Sequence, residues 1–389
     1  MRPARTYPAR RDGVRLLLVD PRVTADGLHE TTIAALPRLL DAADLLVVND
    51  AATLPASLRG CDSVGRPIEL RLLGPDRDGV FPAALFGAGD WRQRTEDRPP
   101  PPALTVGARL TFGSLGAQVL ATGPLSPRQL AVRFDRQGDA LWAALYRHGR
   151  PVQYSHLDHA LPLWAVQTVY ASRPWSVEMP SAGLPLSWEI LLGLRRRGVR
   201  WAALTHAAGL SATGDPALDA ALPLPERYEI PAATVDAVAE TRRRGGRVVA
   251  VGTTVVRALE GAAAAHHGRL PAGAGVTDLR LSAAHRPLIV DGVLSGTHAA
   301  TETHFHLLAA FAGSALLSAA VAFATARDFT THELGDAMLV LPGSRESFFC
   351  GKRRVEFNYR HVSASRPETA ACAAPLDRAG DAQLGVAHV

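Results

Sequence analysis

The sequence predicts an α/β protein in which a discontinuous domain with a mostly parallel sheet is interrupted by an inserted small β-barrel domain. Two apolar runs of strand length, at 14–20 (VRLLLVD) and 45–49 (LLVVN), lie near the start of the chain. Between residues 56 and 148 short apolar segments alternate with Gly, Pro and Asp, which is typical of an all-β module. From about residue 151 longer helical patterns again alternate with apolar strands, as in α/β domains.

Residues 1–55 are assigned to the first part of the α/β domain. Their two apolar runs flank a helical pattern at 31–43, and this order predicts a βαβ start. Arginines occur at the N-terminus, but no apolar stretch follows them, so we expect no signal peptide.

Residues 56–148 are assigned to the inserted β-barrel domain. Its short apolar segments are bounded by turn-forming residues, which favours strands over helices. The predicted strands are 68–73, 80–86, 109–112, 118–121 and 130–134.

Residues 149–345 are assigned to the main part of the α/β domain. Two helical patterns end in arginine runs followed by glycine, at Arg195–Gly198 and Arg242–Gly246, which is typical of helix C-termini before strands rather than of RNA contacts. The uncharged stretch 307–326 is rich in Ala and is interrupted near Gly313, which favours two buried helices over a membrane span. We expect the polar, Ala-rich extension 346–389 to be flexible.

Composition gives no sign of a dominant charged surface. Basic residues number 42 against 37 acidic ones, for a net charge of +5 over 389 residues, so charge alone does not indicate a nucleic-acid footprint. The cysteines Cys61, Cys350 and Cys372 show no metal-ligand spacing and suit a reducing compartment. We therefore expect a cytoplasmic protein without a membrane segment.

The stretch RVVAVGTTVVRALEG (247–261) predicts a strand-to-helix junction. Its apolar run reads as a buried parallel strand, with Thr253 or Thr254 as the N-cap of the helix that follows. Free N–H groups at such a helix start face the crevice where ligands bind in open α/β sheets. The other interpretation is a capped helix on which Arg257 and Glu260 form a solvated pair.

Two further segments carry polar groups that suit a ligand site. In VQTVYASRPWSVEMPSAGL (166–184), Gln167, Thr168 and Tyr170 precede a turn of small residues at 180–183. In VDGVLSGTHAATETHFH (290–306), histidines at 298, 304 and 306 lie close in sequence. Because HxH spacing binds a metal only with further ligands, and none is evident, we expect no metal.

Together these segments resemble the S-adenosylmethionine:tRNA ribosyltransferase-isomerase family of queuosine biosynthesis, over roughly residues 14–341. The resemblance implies an enzyme that uses S-adenosylmethionine as co-substrate, with no metal and no second cofactor. It implies transfer and isomerisation of the ribosyl group onto a 7-aminomethyl-7-deazaguanine in tRNA, with release of adenine and methionine. The matching segments are LLVVND (45–50), QTVYA (167–171), PSAGL (180–184), RVVAVGTTVVRALE (247–260), VDG (290–292), AFAG (310–313) and GDAML (335–339).

The chain also departs from the family pattern. The family segment NDTRVIPARL is NDAATLPASL here, so Ala52 and Ser57 replace two arginines. Pro185 and Leu186 replace the histidine and phenylalanine of PTAGLHF, and Ala221 and Leu224 stand where two further histidines would fall. Lost arginines and histidines are groups expected to contact phosphate or move protons. The acceptor is therefore either tRNA or a small-molecule amine or nucleoside, and an inactive S-adenosylmethionine-binding module is a third interpretation.

The resemblance and the retained polar residues yield a set of candidate site residues. The reaction needs a base at the 5′ carbon, and we expect His206 first, with His298 and Glu226 as the other catalytic candidates. A packed core histidine is the alternative for His206. Arg257 is expected to bind the methionine carboxylate, since a guanidinium can donate two hydrogen bonds to a carboxylate. The predicted substrate-binding residues, expected to converge on one cleft, are Gln167, Thr168, Tyr170, Pro180, Ser181, Ala182, Gly183, Thr253, Thr254, Arg257 and Glu260.

Overall fold

A closed antiparallel barrel and a larger open sheet make up the architecture. The computed structural model describes residues 1–298 and 303–342. The predicted fold class, an α/β domain interrupted by a β-barrel, is confirmed by this arrangement. The predicted flexible extension at 346–389 lies outside the described residues.

The strands are short, and most follow the apolar segments of the sequence. The first nine are β1 (Arg2–Pro3), β2 (Arg15–Val19), β3 (Leu28–Thr32), β4 (Leu45–Asn49), β5 (Ser57–Asp62), β6 (Pro67–Leu72), β7 (Val80–Phe86), β8 (Arg109–Phe112) and β9 (Leu115–Thr122). Those that follow in the described part of the chain are β10 (Gln129–Phe134), β11 (Gly149–Arg150), β12 (Arg200–His206), β13 (Glu226–Ile230), β14 (Val248–Val251), β15 (Gly273–Thr277), β16 (Gly292–Gly296), β17 (Thr330–Thr331) and β18 (Ala337–Val340).

Helices occur mainly after the barrel. Those within the described residues are α1 (Leu36–Leu39), α2 (Gly138–His148), α3 (Trp188–Arg196), α4 (Pro216–Ala221), α5 (Ala232–Arg243), α6 (Thr253–Ala265), α7 (Thr303–Ala312) and α8 (Ser314–Ala326). The arginine runs end α3 and α5 before strands, and Gly313 separates α7 from α8, both as predicted. No helix among the described residues is long and apolar enough to cross a membrane.

The barrel runs in the order β5-β6-β7-β10-β9-β8 and closes because β8 also pairs with β5. Alternate residues of these strands point inward and form one apolar core, to which Leu58, Leu70 and Val132 belong. At the closure the strands approach closely: a Cβ atom at Gly60 would lie 1.9 Å from the carbonyl oxygen of Thr111. Closure leaves no free edge in this part of the sheet. The strand β5 was not predicted, because its sequence SLRGCD shows little apolar alternation.

One ionic cluster lies on the barrel strands. The Glu69 carboxylate accepts hydrogen bonds from Arg71 Nε (2.6 Å), from Ser57 Oγ (2.8 Å) and from Arg98 Nη1. Both guanidinium groups lie over the ring of Phe86, at 4.5 and 5.1 Å from its centroid. All of these side chains are buried, so Glu69 is enclosed by two permanent cations.

The open sheet has the order β15-β13-β12-β4-β14-β16-β18-β2-β3. The central strands β12, β4, β14 and β16 run parallel, and antiparallel pairs flank them on both sides. Helices cover both faces: α5, α6, α7 and α8 pack on one side, and α1 and α3 on the other. The strand β4 therefore lies at the buried centre of a three-layer structure.

The predicted βαβ start is wrong. The strands β2 and β4 are not neighbours, because β18, β16 and β14 lie between them. The first residues of the segment expected to be helical, 31–43, complete the strand β3, which pairs antiparallel with β2, and a 3-10 turn at Ile33–Ala35 then leads into α1. β3 is the edge strand of the sheet, and its pairing with β2 overrides the helical pattern at the start of this segment.

Candidate functional site

The carboxyl ends of the central parallel strands meet at one crevice. Asn49 ends β4, His206 ends β12, and Gly252 follows β14. In open α/β sheets ligands bind in the crevice beyond these strand ends. The predicted site therefore lies where the topology favours a ligand.

Asn49 ties these strand ends together. Its Oδ1 accepts the backbone N–H of His206 (2.9 Å) and of Ala51 (3.1 Å), and its Nδ2 donates to the carbonyl of His206 (3.0 Å). Next to it, Asp50 accepts a hydrogen bond from Thr205 Oγ1 (2.6 Å). These bonds fix the position of His206 relative to the sheet.

The helix α6 begins at Thr253, and the N-cap is Gly252 rather than either threonine. Gly252 has φ 85°, a left-handed conformation that glycine adopts without strain, so the sharp turn displaces the cap by one residue. Thr253 and Thr254 occupy the first turn, where backbone N–H groups have no intrahelical acceptor. A Cβ atom at Gly252 would lie 3.5 Å from Ala182, so the 180–183 turn packs against this helix start.

The segment 167–183 packs over the crevice, and its polar side chains differ in whether they are bonded to the backbone. Gln167 forms a double hydrogen bond with the backbone of Thr53, accepting its N–H and donating to its carbonyl, both at 2.9 Å. Its amide is therefore bonded within the fold, and the substrate contact expected for Gln167 stays a prediction. Thr168 and Tyr170 lie against Gly183, where a Cβ atom would come within 2.2 Å of the Tyr170 hydroxyl.

The hydroxyls of Thr168 and Tyr170 are buried without a hydrogen-bond partner among the described residues. Burial, together with the nearby charge of Asp50, raises the pKa of Tyr170, so this hydroxyl stays protonated. Pro180, Ser181 and Ala182 complete the turn, and Ser181 is accessible beside a small cavity. The segment thus brings the predicted turn to the helix start while leaving two donors free to face a ligand.

His206, Glu226 and Arg257 form a cluster at the floor of the crevice. Arg257 Nη1 donates to Glu226 Oε2, and the Gly209 N–H donates to Glu226 Oε1 at 2.7 Å. Arg257 Nε also donates to the carbonyl of Leu279 at 2.9 Å. His206 Nε2 lies 3.4 Å from Glu226 Oε2, and neither ring nitrogen forms a hydrogen bond with the described residues.

Burial controls the charges of this cluster. His206 is fully buried, and burial together with the charge of Arg257 lowers its pKa to about 3, so the imidazole is neutral at physiological pH. Burial raises the pKa of Glu226, and the Arg257 guanidinium only partly opposes this. The cluster therefore holds a neutral imidazole and a carboxyl group whose proton affinity is increased.

Arg257 is already partly bonded within the fold. Its side chain is 8% exposed, and Nη1 and Nε are already bonded to Glu226 and to Leu279. Nη2 is the one guanidinium nitrogen left without a bond among the described residues. The guanidinium holds Glu226 in place, and its expected contact with the methionine carboxylate stays a prediction.

Glu260 is also bonded within the fold. Its fully buried carboxylate accepts backbone N–H groups of Leu288 (2.7 Å), Ile289 (2.9 Å) and Val290 (2.8 Å). It therefore anchors the segment before β16, and its predicted binding role stays a prediction. One helical turn places Glu260 and Arg257 in different surroundings, so they do not form the solvated pair.

His298 follows β16 on the same side of the sheet. Its Nε2 lies 3.1 Å from Ser295 Oγ, and its ring is half-buried. The side chain of His304 lies outside the described residues. His298 thus stays a catalytic candidate at the rim of the crevice.

Glu178 is a further candidate site residue, one that the sequence motifs do not include. Its Oε1 accepts hydrogen bonds from Tyr154 Oη, from the Ser211 N–H (2.7 Å) and from Ser211 Oγ (3.0 Å). Burial, opposed by these bonds but reinforced by the charge of Glu333, raises its pKa to about 7. A signal existed in the sequence: Glu178 is a lone acid between Val177 and Met179, directly before the 180–183 turn.

Comparisons with known proteins agree with this picture. Residues 2–340 match a family profile described as "Queuosine biosynthesis protein". A protein from Anaeromyxobacter sp. (strain K) named S-adenosylmethionine:tRNA ribosyltransferase-isomerase is 37% identical over 338 residues, which cover 85% of this chain and 93% of the relative. A protein of the same name from Trichlorobacter lovleyi is 34% identical, covering 86% of this chain and 95% of the relative.

A crystal structure of S-adenosylmethionine tRNA ribosyltransferase from Thermotoga maritima is also similar. The two chains are 25% identical, with a TM-score of 0.46, and the match covers 87% of this chain and 96% of the other.

Proposed function

The chain belongs to the queuosine biosynthesis protein family, and on that basis we propose that it is an S-adenosylmethionine:tRNA ribosyltransferase-isomerase. It transfers and isomerises the ribosyl group of S-adenosylmethionine, its co-substrate, onto a 7-aminomethyl-7-deazaguanine in tRNA. Adenine and methionine are released. A tRNA substrate places the reaction in the cytoplasm. The observation that carries the proposal for this chain is the buried cluster of His206, Glu226 and Arg257 at the carboxyl ends of the parallel strands.

The start of α6 supports a binding place for the methionine end of the co-substrate. Backbone N–H groups of Thr253 and Thr254 belong to the first helical turn, where a carboxylate is favoured by free donors and by the helix dipole. The hydroxyls of Thr168 and Tyr170, which lack partners among the described residues, lie on the 180–183 turn that packs on this helix start. They offer further donors to a bound polar ligand.

Proton removal from the 5′ carbon is assigned to Glu226. A general base works best when its pKa lies near the working pH. The lowered pKa of His206, about 3, makes its imidazole a weak base, whereas burial raises the pKa of Glu226 above its ordinary value. We therefore place Glu226 before His206, and we assign Arg257 to orienting the Glu226 carboxylate.

A small-molecule amine or nucleoside is the second candidate acceptor. Ala52 and Ser57 replace two arginines of the family pattern. Arginine is a residue type that contacts phosphate groups of nucleic acids. The loss at Ala52 therefore favours an acceptor that enters without its phosphate backbone.

The proposal is tested by incubating the full chain with S-adenosylmethionine and one of two acceptors. These are tRNA carrying 7-aminomethyl-7-deazaguanine and the free base or nucleoside of the same compound. Release of adenine and methionine, with the matching mass increase in the tRNA nucleoside, is the expected result. Turnover with the small acceptor alone would select the second candidate. Binding of S-adenosylmethionine without adenine release in either reaction would identify an inactive binding module and contradict the proposal.

A further inference from the structure

Three metal-ligating side chains from two distant segments lie together beside the crevice. His156 follows the barrel, and His332 and Glu333 lie in the turn between β17 and β18. Their candidate ligand atoms all lie within 4.8 Å of one another. We propose that His156, His332 and Glu333 bind one divalent transition-metal ion of the zinc class.

His156 and Glu333 already form a close pair. His156 Nε2 lies 2.9 Å from Glu333 Oε2, and the two form an ion pair when the imidazole is protonated. Neither atom has a further hydrogen-bond partner within the described part of the chain, and both are shielded from solvent, while the side chains are 13% and 19% exposed. A cation bound beside both atoms would take the place of the imidazole proton, because imidazole ligands bind a metal in their deprotonated, neutral form.

The third ligand, His332, has to move towards the other two. Its ring stacks on that of His156, with centroids 4.6 Å apart. Two ligand atoms on one tetrahedral zinc ion lie about 3.4 Å apart, because each bond is about 2.1 Å long. The widest separation, which is within 4.8 Å, therefore has to shrink by up to about 1.4 Å. His332 is exposed, so its ring is free to make this movement.

The donor set selects the class of ion. Imidazole nitrogens suit zinc, copper, cobalt and nickel, whereas magnesium and calcium require oxygen ligands. Two imidazoles and one carboxylate leave the fourth tetrahedral position of zinc for water. The bound ion would join the segment after the barrel to the turn before β18.

This joint lies at the edge of the crevice. Glu333 lines the small cavity that Ser181 also lines, and the neighbouring Leu334 packs in one apolar cluster with Leu157. The ion would hold these segments beside the 180–183 turn. No step of the proposed reaction passes through it, and the inference does not depend on the proposed function.

The test uses the full chain, stripped with a chelator and dialysed, and titrated with zinc chloride by calorimetry. We expect one ion per chain, and a His332→Ala variant that binds at least about 100-fold more weakly, more than the loss typical of an outer-shell change. Cobalt chloride provides a second reading, because tetrahedral Co²⁺ absorbs visible light. His285→Ala is the matched control, since His285 also faces a glutamate, Glu260, but lies outside the cluster.

Two results would overturn the inference. One is no stoichiometric zinc binding by the stripped wild-type chain. The other is wild-type affinity in both His332→Ala and Glu333→Gln, which would place the ion elsewhere in the chain. Because His332 is exposed, its alanine variant should fold, and circular dichroism checks this.

Discussion

Two buried glutamates, one on the barrel and one in the crevice, have pKa values that are shifted in opposite directions. Burial alone would raise the pKa of both. On the barrel, Arg71 and Arg98 outweigh burial and lower the pKa of Glu69. In the crevice, burial outweighs the single guanidinium of Arg257, and the pKa of Glu226 is raised.

The difference lies in what surrounds each carboxylate. Glu69 has two permanent cations and the hydroxyl of Ser57, so it stays charged and its role is structural. Glu226 has one cation, one backbone N–H and a neutral imidazole, so it can exchange a proton. A raised proton affinity in a crevice is the property expected of a group that takes part in chemistry.

The barrel cluster also changes the interpretation of one lost arginine. Ser57 stands where the family pattern has arginine, and Arg71 lies directly opposite it on the neighbouring strand. Arg71 supplies the guanidinium to Glu69 while the Ser57 hydroxyl donates a further bond. The change at Ser57 therefore concerns the packing of the barrel and is not evidence about the acceptor.

Replacing the crevice glutamate should have the largest effect. Glu226→Gln removes the proposed base, and we expect adenine release to fall by roughly 10²–10⁴-fold, the range for loss of a general base. S-adenosylmethionine should still bind, measured by calorimetry. Glu229→Gln, on the same strand but partly exposed, is the control and should retain activity. If Glu226→Gln releases adenine at a rate within a few-fold of wild type, Glu226 is not the base, and the functional contrast between Glu226 and Glu69 is lost.

Replacing the barrel glutamate should reduce stability instead. Glu69→Gln leaves two buried guanidinium groups without their carboxylate, and we expect the free energy of unfolding to fall by about 3–5 kcal/mol in urea titrations. Activity per folded molecule should be retained. Glu96→Gln, which breaks an exposed ion pair with Arg94, should cost less than about 1 kcal/mol. A loss of similar size in both variants would contradict the structural role of Glu69.

Lowering the pH should reduce the free energy of unfolding, because the His206 imidazole in the crevice is buried in its neutral form. The pKa of His206 is about 3 in the folded protein, below the roughly 6.5 of an unfolded histidine, so its contribution to stability is present above pH 6.5 and is lost as pH falls towards 3. Between pH 7.5 and pH 5 this loss is about 2 kcal/mol.

The raised pKa of Glu226 changes the free energy of unfolding with pH in the opposite direction. The contribution of His206 is therefore isolated by comparing wild type with the His206→Gln variant. In His206→Gln the fall in unfolding free energy between pH 7.5 and pH 5 should be smaller than in wild type. Equal pH dependence in both proteins would show that His206 is not buried in its neutral form.

The smallest change is expected for ligand binding by the Arg257→Gln variant. Because the guanidinium is bonded to Glu226 and Leu279, we expect the affinity for S-adenosylmethionine to change by less than about tenfold, or about 1.4 kcal/mol. The pH at half-maximal activity should rise, since Glu226 loses its neighbouring cation. An affinity loss of about 1.5–3 kcal/mol would instead restore the direct contact expected from sequence.

Strong local patterns could be predicted, and long-range partners could not. The strands β4 and β14 follow from continuous buried runs of Val and Leu, and their position at one crevice follows from parallel topology. The strand β5 was missed because only the inward Leu58 and a few small residues mark it. The segments that form the candidate site could be predicted from the sequence. The hydrogen bonds of Gln167 and Glu260 could not, because their partners are backbone groups far away in sequence.

Glu178 shows the same limit. Its proton affinity depends on Tyr154 and Ser211, which the fold brings from either side of the chain. A single acid in an apolar stretch is visible in the sequence, but its neighbours are not. Chemistry that depends on such neighbours requires the structure.

The central position of β4 has a consequence for how the chain folds during synthesis. Leu45 pairs with Arg200 and Val248, which leave the ribosome only after the whole barrel. The barrel strands pair with strands that are near in sequence, so the barrel can form early. During this time β2 and β4 remain exposed apolar segments without their partner strands. In a nascent chain ending near residue 160 we expect slow amide exchange in the barrel and fast exchange in β4. Until the later strands arrive, the apolar strand β4 lacks both of its partners in the sheet.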